Sequence, residues 1–324
     1  MLTQIAAAGG LVAACSAALA VHRRLSGARL GADQWDELQV RWSSLDALAS
    51  GFLANPDRSD LVVSLTTIPG RIDRLAPTLK SLLRQTRRPD EIRINVPEFS
   101  RREQRAYTIP GWLADLGGIG GAISGVIRLV RCEDYGPATK LIPSLLDLGP
   151  AQRILVVDDD RIYGPRLVED LDVLARARPD AVLAAGGWRV PDDLTDRPTT
   201  LLAQLRRAPY VPVLGSLVSA PVEVDIVQGV HGYVVQPRFF DLARVVDFST
   251  APPEAVFCDD VWISAHARAR KYVVPVRRIS VSPIAGAGHY KRTSLATNFN
   301  SRRSVDRRAN TVMIRHFAGA WRRS

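Results

Sequence analysis

The sequence contains little cysteine and little lysine, and the first shortage excludes two kinds of small protein. The three cysteines among its 324 residues are Cys15, Cys132 and Cys258, an odd number without a paired spacing. Neither a disulfide framework nor a zinc-binding cluster follows from that pattern, and a reducing compartment is indicated for most of the chain. Of the 43 basic residues, only Lys80, Lys140, Lys271 and Lys291 are lysine, and the rest are arginine.

The 33 acidic residues are outnumbered by the 43 lysine and arginine residues, which gives a net charge of +10 at pH 7. An excess of this size is compatible with an anionic membrane surface, with nucleic acid or with phosphorylated substrates, and composition does not choose among them. A hydrophobic content of 46% is ordinary for a globular protein, and the length allows one large core or two smaller ones.

Long apolar runs are also scarce, and one candidate for a membrane span lies at the N-terminus. Ile5 to Val21 is uncharged and mostly apolar, and His22, Arg23 and Arg24 follow it. Its length is at the short end of the roughly 17–25 residues that a spanning helix needs. Because the basic residues come after the run, the positive-inside rule places the rest of the chain in the cytoplasm. We therefore expect residues 1–25 to be a membrane anchor, with a cleaved signal peptide and an ordinary helix as alternatives.

Residues 26–60 have the periodicity of a helix that links this anchor to the main domain. The apolar residues at helical spacing are Trp35, Leu38, Trp42, Leu45 and Leu48. Such spacing is typical of an amphipathic helix, here one that connects two parts of the chain.

From residue 61 to residue 290, strand-like runs alternate with helical segments. The expected strands are Leu61–Leu65, Glu91–Val96, Val126–Val130 and Ile154–Val157, with a helix at Leu75–Gln85. This alternation predicts an α/β domain with a doubly wound, mostly parallel sheet. Residues 291–324 mix arginine with apolar side chains, which predicts a basic tail in solvent or on a membrane surface.

Three consecutive carboxylates, Asp158, Asp159 and Asp160, follow the apolar run Ile154–Val157. In an open α/β sheet, ligands bind at the carboxyl ends of the strands, where these acids would lie. Mg²⁺ and Mn²⁺ prefer oxygen ligands and often join a few carboxylates to substrate phosphates. The segment predicts a metal–phosphate site, and a solvated acidic turn or a helix cap is the alternative.

The segment Glu133–Lys140, with the sequence EDYGPATK, predicts a turn followed by the start of a helix. Helix N-termini bind phosphate through free backbone N–H groups, and the compact charge of Lys140 suits a diphosphate. Asp134 and Tyr135 are candidates to hold a base or a ribose. The alternative is a capped helix with Lys140 on the surface.

Two later segments are further candidates for the site. Gly229 and Gly232 flank His231, and glycines allow a ligand to approach the backbone closely. Asp259 and Asp260 precede an apolar run that contains Trp262. A pair of acids allows one carboxylate to act as a general base, although acids at a helix start are also common caps.

The order of LVVSLTTIPGR, EDYGPATK, VVDDD, QGVHGYV and CDD resembles the GT-A glycosyltransferases, in particular bacterial members close to glycosyltransferase family 2. The resemblance covers about Leu61 to Val276 and implies a GT-A domain over residues 61–290. It implies a metal-dependent, inverting transfer of a sugar from a nucleotide-sugar, most simply a UDP-sugar, to a glycan or lipid-linked acceptor.

The resemblance also implies roles for individual residues. The implied catalytic base is Asp260, or else Asp259, and the implied ligands of Mn²⁺ or Mg²⁺ are Asp158, Asp160 and His289. The implied donor-binding residues are Thr66, Pro69, Arg71, Asp134, Tyr135, Lys140, Asp158 and Asp159. The implied acceptor-side residues are Gly229, His231, Gly232 and Trp262.

The chain departs from the family in having Asp-Asp where many relatives have Glu-Asp, and the Gln-x-x-Arg-Trp motif of processive synthases is absent. A non-processive enzyme attached to a membrane, without a nucleic-acid partner, is therefore the expectation. The alternatives are a nucleotidyltransferase or phosphatase with the same acidic metal site, and a basic membrane-associated protein without catalytic activity.

Overall fold

The computed structural model describes residues 15–17, 19–116, 127–206, 208 and 210–321. Most of the expected membrane anchor therefore lies outside the described residues. In the part that is described, no helix combines the length and the apolar composition that a bilayer span requires.

The chain is a mixed α/β protein, as the alternation of elements predicted. The strands are β1 Val62–Thr66, β2 Glu91–Pro97, β3 Phe99–Ser100, β4 Arg105–Ala106, β5 Ile127–Cys132, β6 Ile154–Val156, β7 Ala181–Ala184, β8 Gly186–Trp188, β9 Val213–Leu214, β10 Val222–Val224, β11 Ile226–Val227, β12 Tyr233–Val235 and β13 Arg270–Val273. The helices are α1 Leu30–Trp42, α2 Leu45–Ala54, α3 Ala76–Leu83, α4 Gly111–Leu116, α5 Ile142–Asp147, α6 Leu167–Ala177, α7 Leu201–Leu205, α8 Leu242–Val245, α9 Asp259–His266, α10 Ala287–Thr293 and α11 Ala309–His316. Residues 19–26 are also helical, and Ala296–Ser301 is a π-helix.

One large sheet contains eight strands in the order β10-β13-β7-β12-β6-β1-β2-β5. The pairs β6–β1, β1–β2, β2–β5 and β7–β13 are parallel, so the sheet is mostly parallel. The exception in its middle is β12, which lies antiparallel between β6 and β7. Because β1, β2 and β6 run in the same direction, their carboxyl ends meet at one edge.

Both faces of this sheet are buried, which explains the continuous apolar run at its centre. Along β6, Leu155 packs into one core cluster, whereas Ile154 and Val156 pack into the other. All three side chains are completely buried. A strand of this kind needs apolar residues at every position rather than at alternate positions.

The segment expected to form one linker helix contains two helices, α1 and α2. In α1, Trp35, Leu38 and Trp42 are exposed, whereas Asp33 and Val40 are buried. The apolar stripe of α1 therefore faces outward, in contrast to the usual amphipathic helix.

The C-terminal segment is part of the folded domain and not a separate basic tail. Ala309, Met313 and Ile314 of α11 are completely buried and, with Trp321, belong to the second core cluster. The apolar side chains that suggested a membrane-surface helix are thus used within the fold, and the arginines among them remain largely at the surface.

Candidate active site

A cleft of about 570 Å³ opens at the edge where β1 and β6 end. Its wall includes Thr66 at the end of β1, Thr67 directly after it and the three acids after β6, together with Asp259 and Asp260 at the start of α9. We call Asp158, Asp159, Asp160, Asp259 and Asp260 the carboxylate cluster. The structure therefore brings together two acidic segments that are far apart in the sequence.

The ammonium group of Lys140 joins the two halves of the carboxylate cluster. Its Nζ lies 2.7 Å from Oδ1 of Asp158, 2.5 Å from Oδ2 of Asp259 and 3.5 Å from Oδ1 of Asp260. Lys140 ends a 3₁₀ helix at Gly136–Lys140 and is buried, so it is neither on the surface nor in the first turn of an α-helix. Burial alone would lower the pKa of Lys140, but the surrounding carboxylates outweigh it and raise that pKa well above its ordinary value.

Arg71 is the second cation of the cluster. Its Nη1 lies 2.7 Å from Oδ2 of Asp160 and 3.3 Å from Oδ1 of Asp159. The hydroxyl of Thr67 donates to Oδ2 of Asp159 at 2.6 Å. Burial, opposed by Arg71 and reinforced by the neighbouring carboxylates, raises the pKa of Asp159 to about 6. Asp159 therefore has partners within the protein, which fits a role in orienting the turn.

Asp260 has the features of a general base. Its Oδ1 accepts the backbone N–H of Gly229 at 3.0 Å and lies near Lys140. Burial is the largest influence on its pKa, and the carboxylates of Asp259 and Asp158 add to it, so that the pKa of Asp260 rises to about 7 despite Lys140. A base works best when its pKa lies near the operating pH.

Gly229 is needed here for space. A Cβ at this position would lie 2.2 Å from Nζ of Lys140 and 2.8 Å from Oδ1 of Asp158. Contacts this short do not occur in folded proteins, so any side chain would displace the ammonium group. Gly229 belongs to the site through its backbone.

The cluster is chemically suited to a divalent cation. Five carboxylates face two cations, and the raised pKa values of Asp159 and Asp260 reflect their burial and this shortage of positive charge. Within the described residues, no three side chains of His, Cys, Asp or Glu converge so as to hold a metal by themselves. Mg²⁺ usually takes only one or two carboxylates, and water and substrate phosphates complete its shell. Asp158 and Asp160 fit that kind of site.

The expected donor-binding residues do not all line the cleft. Thr66 lines it, whereas Pro69 and Tyr135 do not. Asp134 also lines it, but its carboxylate accepts the N–H groups of Arg101 at 2.7 Å and Gly136 at 2.8 Å. These contacts show that Asp134 stabilises the turn, and its expected role in holding a base or a ribose stays a prediction.

The expected acceptor-side residues are mostly behind the cleft wall. Trp262 is buried, donates from Nε1 to the carbonyl of Val245 at 2.9 Å and stacks on Phe248 at 4.1 Å between ring centroids. The Cβ position of Gly232, whose φ is +92°, points towards apolar side chains of the core. Nδ1 of His231 lies 3.1 Å from Oγ of Ser280, and burial lowers the pKa of His231 to about 3.

His289 is absent from the wall of the cleft. Its Nε2 lies 2.9 Å from the carbonyl oxygen of Gly70, so that nitrogen carries the proton and donates to a backbone group. Among the described residues, His289 does not converge with two acids on one point, so its expected role as a metal ligand gains no support from the structure.

Three basic residues that no sequence motif singled out also line the cleft: Arg102, Arg161 and Lys291. Arg102 lies between β3 and β4, and its guanidinium donates to the carbonyl of Thr293. Among the described residues, no carboxylate lies within ion-pair distance of Arg102, and burial lowers its pKa. Arg161 donates to Ser280 and Ser282. One arginine among so many has no distinguishing signal in the sequence.

No family model matches the chain. No curated protein matches it either. Among solved structures, it is similar to the crystal structure of GalNAc-T7 with UDP, GalNAc and Mn²⁺, at 13% sequence identity and a TM-score of 0.42. The match covers 66% of this chain and 41% of that chain, so this chain spans less than half of GalNAc-T7. The roles proposed below rest on the residues of the cleft.

Proposed function

We propose that the chain is a glycosyltransferase that moves a sugar from a nucleotide-sugar, most simply a UDP-sugar, to the hydroxyl of a glycan or lipid-linked acceptor. One observation carries the proposal: Asp158–Asp160 and Asp259–Asp260 line the same cleft and are joined there by Lys140. If each acidic segment only capped a helix, the two segments would have no reason to lie in the same cleft.

Asp158 and Asp160 are the proposed ligands of Mn²⁺ or Mg²⁺. The cation, when bound, would offset the charge that develops on the leaving diphosphate. Arg102 and Lys291 line the same cleft from outside the cluster, where they would attract the diphosphate. Arg71 holds Asp160 by its Oδ2, which fixes the direction of that carboxylate.

Asp260 is the proposed base that removes the proton of the acceptor hydroxyl. Because its Oδ1 is engaged by Gly229 and Lys140, the other oxygen, Oδ2, is the one that would accept this proton. A single displacement with one base inverts the configuration at the anomeric carbon, so the proposed reaction is inverting.

A panel of nucleotide-sugars, assayed with Mn²⁺ and simple glycan acceptors, tests the proposal. We expect release of the nucleoside diphosphate and appearance of the sugar in the product. Asp160→Asn and Asp260→Asn should each lower turnover by at least about 100-fold, as expected for loss of a metal ligand or a general base. Asp180→Asn is the matched control, because the side chain of Asp180 is 85% exposed and, within the described residues, its one ion pair is with the surface residue Arg238.

Retained activity in Asp160→Asn or Asp260→Asn, with both proteins folded by circular dichroism, would overturn the assigned roles. A labelled nucleotide found in the product instead of in solution would identify a nucleotidyltransferase. Release of inorganic phosphate from phosphomonoesters, with no reaction of any nucleotide-sugar, would identify a phosphatase.

A further inference from the structure

Helix α1 is attached to the protein through its polar side. Nη1 of Arg278 lies 3.6 Å from Oδ1 of Asp33, Nη2 of Arg278 contacts Asp36, and Nη2 of Arg84 lies 3.6 Å from Oδ1 of Asp36. These acids and Val40 are buried. An amphipathic helix normally buries its apolar stripe and exposes its charges, and α1 does the reverse.

The opposite side of α1 presents large apolar side chains to the outside. Trp35 is 56% exposed, Leu38 36% and Trp42 70%, and their spacing places them in one stripe along the helix. Among the described residues, neither indole N–H has a hydrogen-bond partner. We call Trp35, Leu38 and Trp42 the outer stripe. Contiguous exposed apolar surface with aromatic residues marks a protein or membrane contact.

The charges around the outer stripe favour one kind of partner. Arg41 is exposed beside it, and the preceding helical residues include Arg23 and Arg24. The third acid of α1, Glu37, is engaged, because its Oε1 accepts the N–H of Ile284 at 2.6 Å. Asp33 and Asp36 pair with Arg278, so α1 itself presents no unpaired acid, and the exposed acid that follows the stripe is Asp46 of α2.

We propose that the outer stripe of α1 docks into the interface of a bilayer that contains anionic lipids. Indole rings with a free N–H suit the headgroup region, where one side of the ring is apolar and the other is wet. Arg41 and the arginines before α1 suit phosphate headgroups. The apolar run Ile5–Val21 directly precedes them. A second copy of the chain fits less well, because it would bring the same arginines against one another.

The docked stripe would also lie close to the rim of the cleft. Glu37 connects α1 to Ile284, which is 70% exposed and lies three residues before Ala287, the first residue of α10. Tyr290 and Lys291 of α10 line the cleft. A lipid-linked acceptor would thus meet the cleft at the membrane surface. That consequence rests on the proposed function, whereas the docking itself does not.

Quenching of tryptophan fluorescence by brominated phospholipids tests the docking without an activity assay. Trp188, Trp262 and Trp321 are buried and Trp112 is half-buried, so Trp35 and Trp42 are the exposed reporters. We expect the full chain to be quenched by brominated vesicles that contain about one third phosphatidylglycerol, and about tenfold less by purely zwitterionic vesicles. Because Ile5–Val21 contains no tryptophan, its own insertion is not what this signal reports.

Leu38→Asp keeps both reporters and places an acid in the stripe, so it should weaken the quenching about tenfold. Val173→Asp is the matched control, because Val173 is a 53% exposed residue of α6 away from the stripe, and it should leave the quenching unchanged. The proposal would be overturned if the Leu38→Asp variant and the original full chain were quenched equally. It would also be overturned if the original full chain were not quenched at all. Sedimentation as a dimer that shields both tryptophans without vesicles would assign the stripe to a second copy instead.

Discussion

Replacing Lys140 by methionine tests whether one buried ammonium group stabilises the candidate site. Methionine fills much of the volume of the lysine stem but removes the charge that lies 2.7 Å from Asp158 and 2.5 Å from Asp259. Those carboxylates and Asp260 then lose their shared counter-charge, with Asp259 buried and the other two partly buried. The chain should fold less stably for an electrostatic reason and not because of a cavity.

The size of the effect follows from the burial of Lys140. Removing one partner of a buried ion pair costs about 3–5 kcal/mol, because the remaining charge is left without compensation. Without the ammonium group, the pKa values of the three carboxylates rise in the folded state. The cost is therefore fully present above those raised values and is lost as the pH falls and the acids become neutral. We expect a loss of about 3 kcal/mol at pH 8 and about 1 kcal/mol at pH 5.

Urea unfolding, followed by tryptophan fluorescence at both pH values, measures this loss. Lys80→Met is the control, because Lys80 of α3 is partly buried and has no carboxylate within ion-pair distance among the described residues. We expect the free energy of unfolding of Lys80→Met to stay within about 0.5 kcal/mol of the original protein. A Lys140→Met variant as stable as that control at pH 8 would refute the reasoning, and so would a loss that does not depend on pH.

Three further variants test other parts of the site and the fold. Gly229→Ala would place a Cβ 2.2 Å from Nζ of Lys140, so nucleotide-sugar turnover should fall at least about 100-fold with the fold retained, and near-normal turnover would contradict the close packing. Arg102→Ala removes a cleft cation that has no carboxylate partner among the described residues, so KM for the donor should rise about tenfold with little change in kcat, and an unchanged KM would exclude a contact with the diphosphate. Burial, with the neighbouring carboxylate of Glu169, raises the pKa of Asp170 to about 6, although Oδ2 of Asp170 accepts the backbone N–H of Arg277 at 2.8 Å. Because asparagine keeps an oxygen for that N–H and removes the charge, Asp170→Asn should raise the free energy of unfolding by about 1 kcal/mol at pH 7.5 and not at pH 4, after allowance for solvent screening, and equal shifts at both pH values would contradict this.

The fold was predictable where a strand is buried on both faces. β1, β2 and β6 lie within two residues of their predicted bounds, because such strands are continuous apolar runs. The middle of the sheet was not predictable, because the apolar run of β12 carries no information about its direction or its neighbours. For α1 the helical period was predictable, but the buried face was not, because Asp33 and Asp36 pair with Arg278, which is distant in the sequence.

The candidate site was predictable to the extent that its residues are acidic and follow strands. Asp158, Asp160 and Asp260 line the cleft, as the spacing of the motifs suggested. Trp262 and Asp134 stand in the right segments, but one packs in the core and the other holds a turn. A motif places a segment near the site, and tertiary packing decides which of its side chains faces the ligand.

The charges of the cleft indicate that a divalent cation and a nucleoside diphosphate should bind together. The excess of carboxylates would repel a diphosphate that binds alone. A cation that binds alone would have to compete with Lys140 and Arg71, which already contact Asp158 and Asp160. Each ligand reduces the electrostatic cost of the other, and such coupling is reciprocal. Calorimetric titration of Mn²⁺ with and without saturating UDP should therefore show at least about tenfold tighter binding in the presence of UDP. Equal affinities would mean that the carboxylate cluster does not hold a metal–diphosphate pair.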